Sequence, residues 1–178
     1  MKKILALPGS TRENSSNWKI LNCISNMYND QLDIKIYDEI DQLPHFNPNL
    51  TEDDLPTVIK SFLAKITNAE GIIVCTPEYV FSPPAVLKNA PEWTVSETVF
   101  SYKPTALIVA SGLGEKTLES LSLILKTLIQ EEIPKSSELL IQGARNKINA
   151  RGEISDEKTL TEIKGVVDSL ISTIHAKK

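Results

Sequence analysis

The sequence ILALPGSTRENSSNWKIL, residues 4–21, joins a short apolar run to a polar loop and then to the start of an amphipathic helix. The apolar run, residues 4–7, predicts a buried strand that ends at Pro8 and Gly9. Apolar side chains then recur at helical spacing, at positions 20, 21, 24, 27 and 28. Because the first amides of a helix have no carbonyl partner, a strand followed by a polar loop and a helix can hold an anion.

The polar loop, residues 9–17, is rich in side chains that form hydrogen bonds. Serine and threonine hydroxyls can donate to phosphate oxygens, and Arg12 can make a paired, charge-assisted contact. Serine, threonine and asparagine are equally typical of turns and helix caps. The loop alone therefore leaves two interpretations open, a phosphate-binding loop and an ordinary helix cap.

The composition is that of an ordinary globular protein. The chain has 178 residues, of which 41% are hydrophobic and 24% charged, and we expect residues 1–178 to form a single domain. The formal net charge of −4 argues against a protein that binds the nucleic-acid backbone. No apolar run is long enough to span a bilayer, and the first one is too short for a signal peptide. We therefore expect a cytoplasmic protein without membrane attachment.

The two cysteines, Cys23 and Cys75, have no metal-ligand spacing. Cys23 falls on the first predicted helix and Cys75 at the end of an apolar strand, so both are expected to be buried, reduced thiols. With two histidines in the chain, a zinc site would need carboxylate ligands, and no spacing suggests one. No metal site is expected.

Strands and helices alternate along the chain. The third and fourth predicted strands are uniformly apolar, as expected of strands that helices cover on both faces. The pattern predicts an α/β fold with three layers, built on a doubly wound five-stranded parallel sheet, for which we expect the strand order 2-1-3-4-5. The predicted strands are residues 3–7, 33–37, 71–75, 105–110 and 138–142, and the predicted helices are residues 17–29, 57–68, 85–95, 118–129 and 156–175.

Three loops at the carboxyl ends of the predicted strands carry the unusual residues, and neighbouring strands would bring them together around one ligand. They are residues 9–17, 76–84 and 111–114. A dinucleotide fingerprint needs G-x-G-x-x-G, but Gly9 stands alone after the first strand, and residues 112–117 lack the third glycine. A glutamate at position 115 also interrupts any Walker pattern there.

A mononucleotide fits these loops better. Its phosphate would lie on the first loop, and its ring would lie against TPEY, residues 76–79. A turn after a strand presents backbone amides, and Tyr79 places an aromatic side chain beside them, as a flat heteroaromatic ring requires.

Two motifs resemble those of the NADPH-dependent FMN reductases. GSTRENSSN, residues 9–17, resembles their phosphate loop, G-S-x-R-x-x-S-x-N. TPEYVFSPPAVLKNAPEW, residues 76–93, resembles their flavin-ring signature, T-P-E-Y-N-x-S-x-P-x-x-L-K-N-A-x-x-W. The resemblance implies a flavodoxin-like fold, a bound FMN and reduction by NAD(P)H of a small acceptor, which is a flavin, a quinone, an azo compound or an oxyanion.

By this resemblance, the first loop holds the FMN phosphate, and the second and third loops line the isoalloxazine ring. The implied cofactor-binding residues are Ser10, Arg12, Ser15, Ser16, Asn17, Pro77, Glu78, Tyr79, Val80, Ser82, Ser111 and Gly112. Glu78 and Tyr79 would act mostly through their backbone amides. Because the flavin carries the redox chemistry, no catalytic side chain is expected.

The chain departs from the family pattern beside the ring. Val80 stands where the family usually has asparagine, and Phe81 adds bulk where a nicotinamide would stack, so the choice between NADH and NADPH stays open. The resemblance also implies a homodimer or homotetramer, and Phe81, Pro83 and Trp93 would suit such a contact, although Trp93 would equally suit a core position. Two competing functions are a flavodoxin-type electron carrier and a binding module that has lost its flavin.

Three residues near the predicted site have alternative interpretations. Glu78 would also suit a solvated loop charge, and Tyr79 would also suit a core position. His45 belongs to a polar loop, residues 43–56, and suits either an exposed position or a place over the acceptor pocket.

Overall fold

The computed structural model describes residues 1–12, 14–149 and 151–177, so Glu13 of the predicted polar loop lies outside the described residues. Across those residues, five parallel strands form one sheet in the order β2-β1-β3-β4-β5, which confirms the predicted flavodoxin-like α/β fold. The strands are β1 (Lys2–Pro8), β2 (Leu32–Ile36), β3 (Gly71–Thr76), β4 (Thr105–Ser111) and β5 (Glu138–Gln142). The helices are α1 (Ser16–Met27), α2 (Thr57–Asn68), α3 (Ala85–Glu92), α4 (Glu115–Ile129) and α5 (Glu157–Ala176).

The strands supply apolar side chains to both faces of the sheet, because successive side chains of a strand point to opposite sides. In β1, Leu5 and Leu7 belong to one core, while Ile4 and Ala6 belong to the other. Every residue of β3 is buried. The two cores explain why the inner strands read as continuous apolar runs in the sequence.

Helices cover both faces of this sheet. α2, α3 and α4 pack on the face of Leu5 and Leu7, and α1 and α5 pack on the opposite face. No helix in the described part of the chain is both long and apolar enough to cross a membrane. Since the strands are parallel, the loops that follow β1, β3, β4 and β5 all lie at one edge of the sheet.

Two helices differ from their predicted bounds by about a turn. α4 begins at Glu115 rather than at residue 118, because Gly114 takes a φ of +110° and opens the helix there. α3 ends at Glu92 rather than at residue 95, since Pro91 lies in its last turn and the Thr94 amide closes a turn on the Pro91 carbonyl at 3.0 Å. The other predicted elements agree with the structure to within about two residues at each end.

Two expectations about burial need correction. Trp93 is only 4% exposed, and its ring packs edge-on against Phe46 with ring centroids 5.3 Å apart. Of the two interpretations of Trp93, the core position is therefore confirmed and the subunit contact is wrong, because its own chain already encloses the ring. Cys75 is fully buried, as predicted, but Cys23 is only partly buried, and both are free thiols.

The ends of β1 and β3 approach each other closely. Pro8 pairs with Cys75, and the Gly9 amide donates to the Cys75 carbonyl at 2.8 Å, so the pairing continues beyond β1. A Cβ atom on Gly9 would stand 1.9 Å from Oγ1 of Thr76 and 2.9 Å from its Cα atom. No side chain fits in that space, which explains the glycine at the start of the polar loop.

We expect Gly9→Ala to lower the free energy of unfolding by about 1–3 kcal/mol, because the added methyl group must push β1 and β3 apart. The matched control is Gly165→Ala in α5, where an added Cβ meets nothing within 4 Å. That change should raise the free energy of unfolding by about 0.5–1 kcal/mol, since alanine is the better helix former. Urea unfolding measures both, and equal midpoints for Gly9→Ala and the wild type would contradict the close approach.

Tyr37 follows β2 and is enclosed by α2. Its ring centroid lies 5.0 Å from that of Phe62, and its hydroxyl has no hydrogen-bond partner among the described residues. Burial raises the pKa of Tyr37 to about 12, and the nearby carboxylates of Glu39, Asp38 and Asp41 add to this effect. The hydroxyl therefore stays protonated in the folded chain at pH values where it ionises in the unfolded chain.

We expect the folded protein to lose stability as the pH rises from 10 towards about 12, since only the unfolded chain releases the Tyr37 proton in that range. Tyr37→Phe should reduce this loss. At neutral pH it should be at least as stable as the wild type, because it removes a buried hydroxyl that has no partner. Urea unfolding at neutral pH and at about pH 11 tests both effects. Tyr102→Phe, at an exposed position, is the control and should keep the wild-type pH dependence.

Candidate active site

A cleft of about 430 Å³ lies at the edge of the sheet where β1, β3, β4 and β5 end. This volume is in the range of small-molecule sites in proteins. The cleft is lined by Ser10, Arg12, Ser15, Ser16, Asn17, Pro77, Glu78, Tyr79, Ala110, Ser111, Gly112, Gly143, Ala144, Arg145 and Asn146. It therefore brings together every predicted site residue except Val80 and Ser82, which belong to the turn beyond its rim.

The loop after β1 is held by its own hydrogen bonds. The Ser15 hydroxyl caps α1 by accepting from the Trp18 amide at 3.3 Å. The Ser10 hydroxyl accepts from the Arg12 amide at 3.3 Å, and the Ser10 carbonyl accepts from Nε1 of Trp18 at 3.1 Å. The helix-cap interpretation is therefore confirmed for Ser15. Ser10, Arg12 and the first turn of α1 also line the cleft, and phosphate binding by this loop stays a prediction.

The start of α1 has the chemistry of an anion site. No acidic side chain stands in its described first turn, where the leading amides have no carbonyl partner within the helix. Ser10 and Asn17 are buried at the cleft, so their polar groups are positioned before any ligand arrives. The Arg12 side chain forms no ion pair or hydrogen bond within the described residues. Hydroxyls, helix amides and a guanidinium together are the donors that a phosphate monoester requires.

Asn17 is positioned by a buried thiol. Sγ of Cys75, at the end of β3, donates to Oδ1 of Asn17 at 3.4 Å. Burial raises the pKa of the Cys75 thiol well above its usual range, so the thiol keeps its proton and remains a donor. Cys75 thus connects the end of β3 to the first turn of α1.

Glu78 joins two loops of the cleft through its side chain. Its Oε1 accepts from the Gly114 amide at 3.2 Å, and its Oε2 accepts from the Thr117 amide at 2.9 Å. Gly114 is the N-cap of α4 and has no side chain that could accept from the helix amides. Glu78, in the loop after β3, supplies this cap instead. The alternative interpretation of Glu78 as a solvated loop charge is therefore wrong.

Residues 79–82 form a tight two-residue turn at the mouth of the cleft. The Tyr79 amide donates to the Ser82 carbonyl at 2.8 Å, and the Ser82 amide donates back at 3.0 Å. Val80 and Phe81 both take positive φ values, +52° and +57°. Val80 is 94% exposed and Tyr79 is 53% exposed, so a core position for Tyr79 is wrong.

Two residues of the ring signature have a structural task instead. Asn89 donates to the Pro44 carbonyl at 2.9 Å and accepts from the Phe46 amide at 2.9 Å, while Nε1 of Trp93 donates to the Pro44 carbonyl at 2.8 Å. α3 therefore holds the long loop after β2 in place. His45, in that loop, is exposed and does not line the cleft.

The wall of the cleft that follows β5 was not among the regions predicted from the sequence. Gly143, with a φ of +61°, turns the chain into a 3-10 turn, Ala144–Lys147, and Arg145 and Asn146 face the cleft. A usable signal was present, because β5 pairs with β4 and ends at the same edge of the sheet. Among the described residues, no group of three or more His, Cys, Asp or Glu is placed to hold a metal ion.

We expect Glu78→Ala to lower the free energy of unfolding by about 0.5–2 kcal/mol, because the first turn of α4 loses its cap. Glu78→Gln keeps an acceptor without the charge and should fall between Glu78→Ala and the wild type. Urea unfolding followed by helical circular dichroism measures the change. The control is Glu119→Ala, an exposed member of an ion pair with Lys116 on the same helix. Equal unfolding midpoints for Glu78→Ala and Glu119→Ala would contradict the capping role.

The amino-acid sequence of this chain is similar to those of known reductases. The profile of the family described as NADPH-dependent FMN reductase matches residues 2–141. The chain is 32% identical over 164 residues to NADH:(hydroxy)cinnamate reductase subunit CrdA of Vibrio ruber, with 89% of this chain and 80% of that protein covered. It is 30% identical over 171 residues to NADH-dependent flavin reductase subunit 2 of Lactobacillus johnsonii, with 90% and 91% covered.

The solved structures agree with these relatives. FerB, a flavoenzyme NAD(P)H:(acceptor) oxidoreductase from Paracoccus denitrificans, superimposes with a TM-score of 0.82 at 25% identity, and the match covers 99% of this chain and 98% of FerB. The family match confirms the prediction of an oxidoreductase that uses FMN and NAD(P)H. The binding roles of individual residues stay predictions. The family profile spans most of the sequence, and the chain belongs to the NADPH-dependent FMN reductase family.

Proposed function

We propose that residues 1–178 form a single FMN-binding domain whose cleft holds the cofactor between the loops after β1, β3 and β4. The phosphate would lie at the start of α1, where the Ser10 hydroxyl, the Arg12 guanidinium and the first helix amides converge. The ring would lie between residues 77–79 and the Ser111–Gly112 step, where backbone groups line the cleft. Val80 and Ser82 would act at the rim of the ring site through the turn that they form.

FMN supplies the redox chemistry when bound, accepting a hydride from NAD(P)H and passing electrons to a small acceptor. The chain then has to bind, orient and partly expose the cofactor. Its own groups suit that task, since Glu78 and Cys75 are already engaged in holding loops and neither is free to move a proton.

One arrangement carries the proposal. An anion site at a helix N-terminus and a backbone-lined slot beside Tyr79 belong to one continuous cleft, at adjacent strand ends of a parallel sheet. This is where ligands of open α/β sheets bind. A phosphate site and a flat ring site in the same cleft would suit a mononucleotide.

The acceptor is proposed to be a small molecule that approaches the ring from the open side of the cleft. Tyr79, Phe81 and Leu113 are exposed apolar side chains of the loops around that opening. An apolar rim suits flat acceptors such as a flavin, a quinone or an azo compound, and leaves an oxyanion as a further candidate.

We also propose a homodimer or homotetramer in the cytoplasm. Val80, Phe81 and Val95 are large apolar side chains that this chain leaves exposed, and such side chains are typical of protein contacts. Cys23 and Cys75 are free thiols, as expected of a reducing compartment. Light scattering tests the assembly, and a monomer mass would contradict it.

The function is tested by the absorbance spectrum of the purified protein, with FMN added if it is colourless, followed by anaerobic NADH or NADPH. We expect flavin bands that bleach on addition of at least one nicotinamide, and turnover with a quinone or free flavin. Bound flavin that stays oxidised with both nicotinamides would favour an electron carrier of the flavodoxin type. A protein that takes up no FMN would favour a binding module without cofactor.

A further inference from the structure

We propose that Arg145 is a second cation for the FMN 5′-phosphate, which it would hold together with Arg12, and that it makes this chain select FMN over riboflavin. This inference rests on the proposed function, since it concerns the same cleft. Arg145 follows β5, far in sequence from the motifs that resemble those of the family, and it lines the cleft with the phosphate loop.

The position of Arg145 is fixed by its neighbours. Gly143 turns the chain with a φ of +61°, and the Asn146 amide donates to the Gly143 carbonyl at 2.9 Å. Ala144 is buried in the core beneath α5. Because Ala144 points into the core, the next residue of the tight turn, Arg145, is exposed at the cleft.

The segment after this turn packs against α1, the helix that begins at the phosphate loop. Ile148 and Ile154 form a bridge and pack against the core on the α1 side. A Cβ atom on Gly152 would stand 3.5 Å from Cγ of Lys19, which lies in the first turn of α1. The β5–α5 connection therefore lies alongside the first turns of α1 and holds Arg145 on the wall beside its N-terminus.

The charges of the cleft favour an anion. Within the described residues, neither Arg12 nor Arg145 forms an ion pair or a side-chain hydrogen bond. The carboxylate of Glu78 also lines the cleft, but the amides of Gly114 and Thr117 bind both of its oxygens. Two guanidinium groups without protein partners therefore share one cleft in a chain whose net charge is −4.

A phosphate monoester is the anion that this pair suits. It carries a charge of about −1.5 to −2 at neutral pH and three acceptor oxygens. One guanidinium leaves part of that charge and at least one oxygen to the helix amides and hydroxyls, whereas two guanidiniums that line the same cleft can each donate a pair of hydrogen bonds to it. The isoalloxazine and ribityl groups, which riboflavin shares, are uncharged and would gain nothing from Arg145.

The test compares dissociation constants of the apoprotein for FMN and for riboflavin, measured by quenching of flavin fluorescence. We expect Arg145→Gln to weaken FMN binding about tenfold or more and to change riboflavin binding by less than about twofold. Arg145→Lys keeps the charge without the planar pair of donors and should retain part of the FMN affinity. Lys147→Gln is the matched control, because it removes a positive charge from the same turn at a position that does not line the cleft.

The outcomes separate this inference from the proposed function. A wild-type apoprotein that binds no FMN overturns both. Wild-type FMN binding with an unchanged Arg145→Gln affinity overturns the role of Arg145 alone, and so does an equal loss of FMN and riboflavin binding. An Arg145→Gln variant that binds FMN normally but shows a raised KM for NADH or NADPH would assign Arg145 to the nicotinamide phosphates, and would overturn the inference as well.

Discussion

The pairing of β1 with β3 continues through Pro8 and Cys75 to the Gly9 amide, and this close contact sets the position of both loops that follow. The space between Gly9 and Thr76 admits no side chain. The loop after β1 and the loop after β3 therefore leave the sheet side by side. The Cys75 thiol adds a further link between the end of β3 and the first turn of α1, because it donates a hydrogen bond to Oδ1 of Asn17. The loops after β1 and β3 therefore line one continuous cleft, in which the proposed phosphate site and ring site lie side by side.

The cleft is then stiffened by side chains that do not need to touch a ligand. Glu78 connects the loop after β3 to the first turn of α4 through two hydrogen bonds, so these two walls of the cleft are joined directly. Asn89 and Trp93 hold the long loop after β2 through the Pro44 carbonyl. Such support lowers the cost of ordering loops when a ligand binds, because the loops are already ordered. In the motif that resembles the flavin-ring signature, Glu78, Asn89 and Trp93 thus hold neighbouring loops in place.

The turn at Val80 and Phe81 is the strained part of the site. Two-residue turns of this geometry need positive φ at both central positions, and asparagine and glycine adopt it readily. A β-branched residue such as Val80 does so at a cost of about 1–2 kcal/mol. That geometry gives a physical reason for the asparagine that the family usually places at this position. In this chain Val80 stands in place of that asparagine and is followed by Phe81. The two amide–carbonyl hydrogen bonds between Tyr79 and Ser82 keep the turn closed.

The alternation of strands and helices, and the position of the first loop of the cleft, were predictable from the sequence alone. These features depend on local patterns, such as the apolar run before Gly9 and the helical spacing after Asn17, and on the rule that parallel strands end at one edge. Only the packed chain shows that Glu78 caps α4, that its own chain encloses Trp93, and that Arg145 lines the same cleft as the loop after β1. Those contacts join residues far apart in the chain, and their partners are selected by how helices pack on the sheet, which no local pattern records.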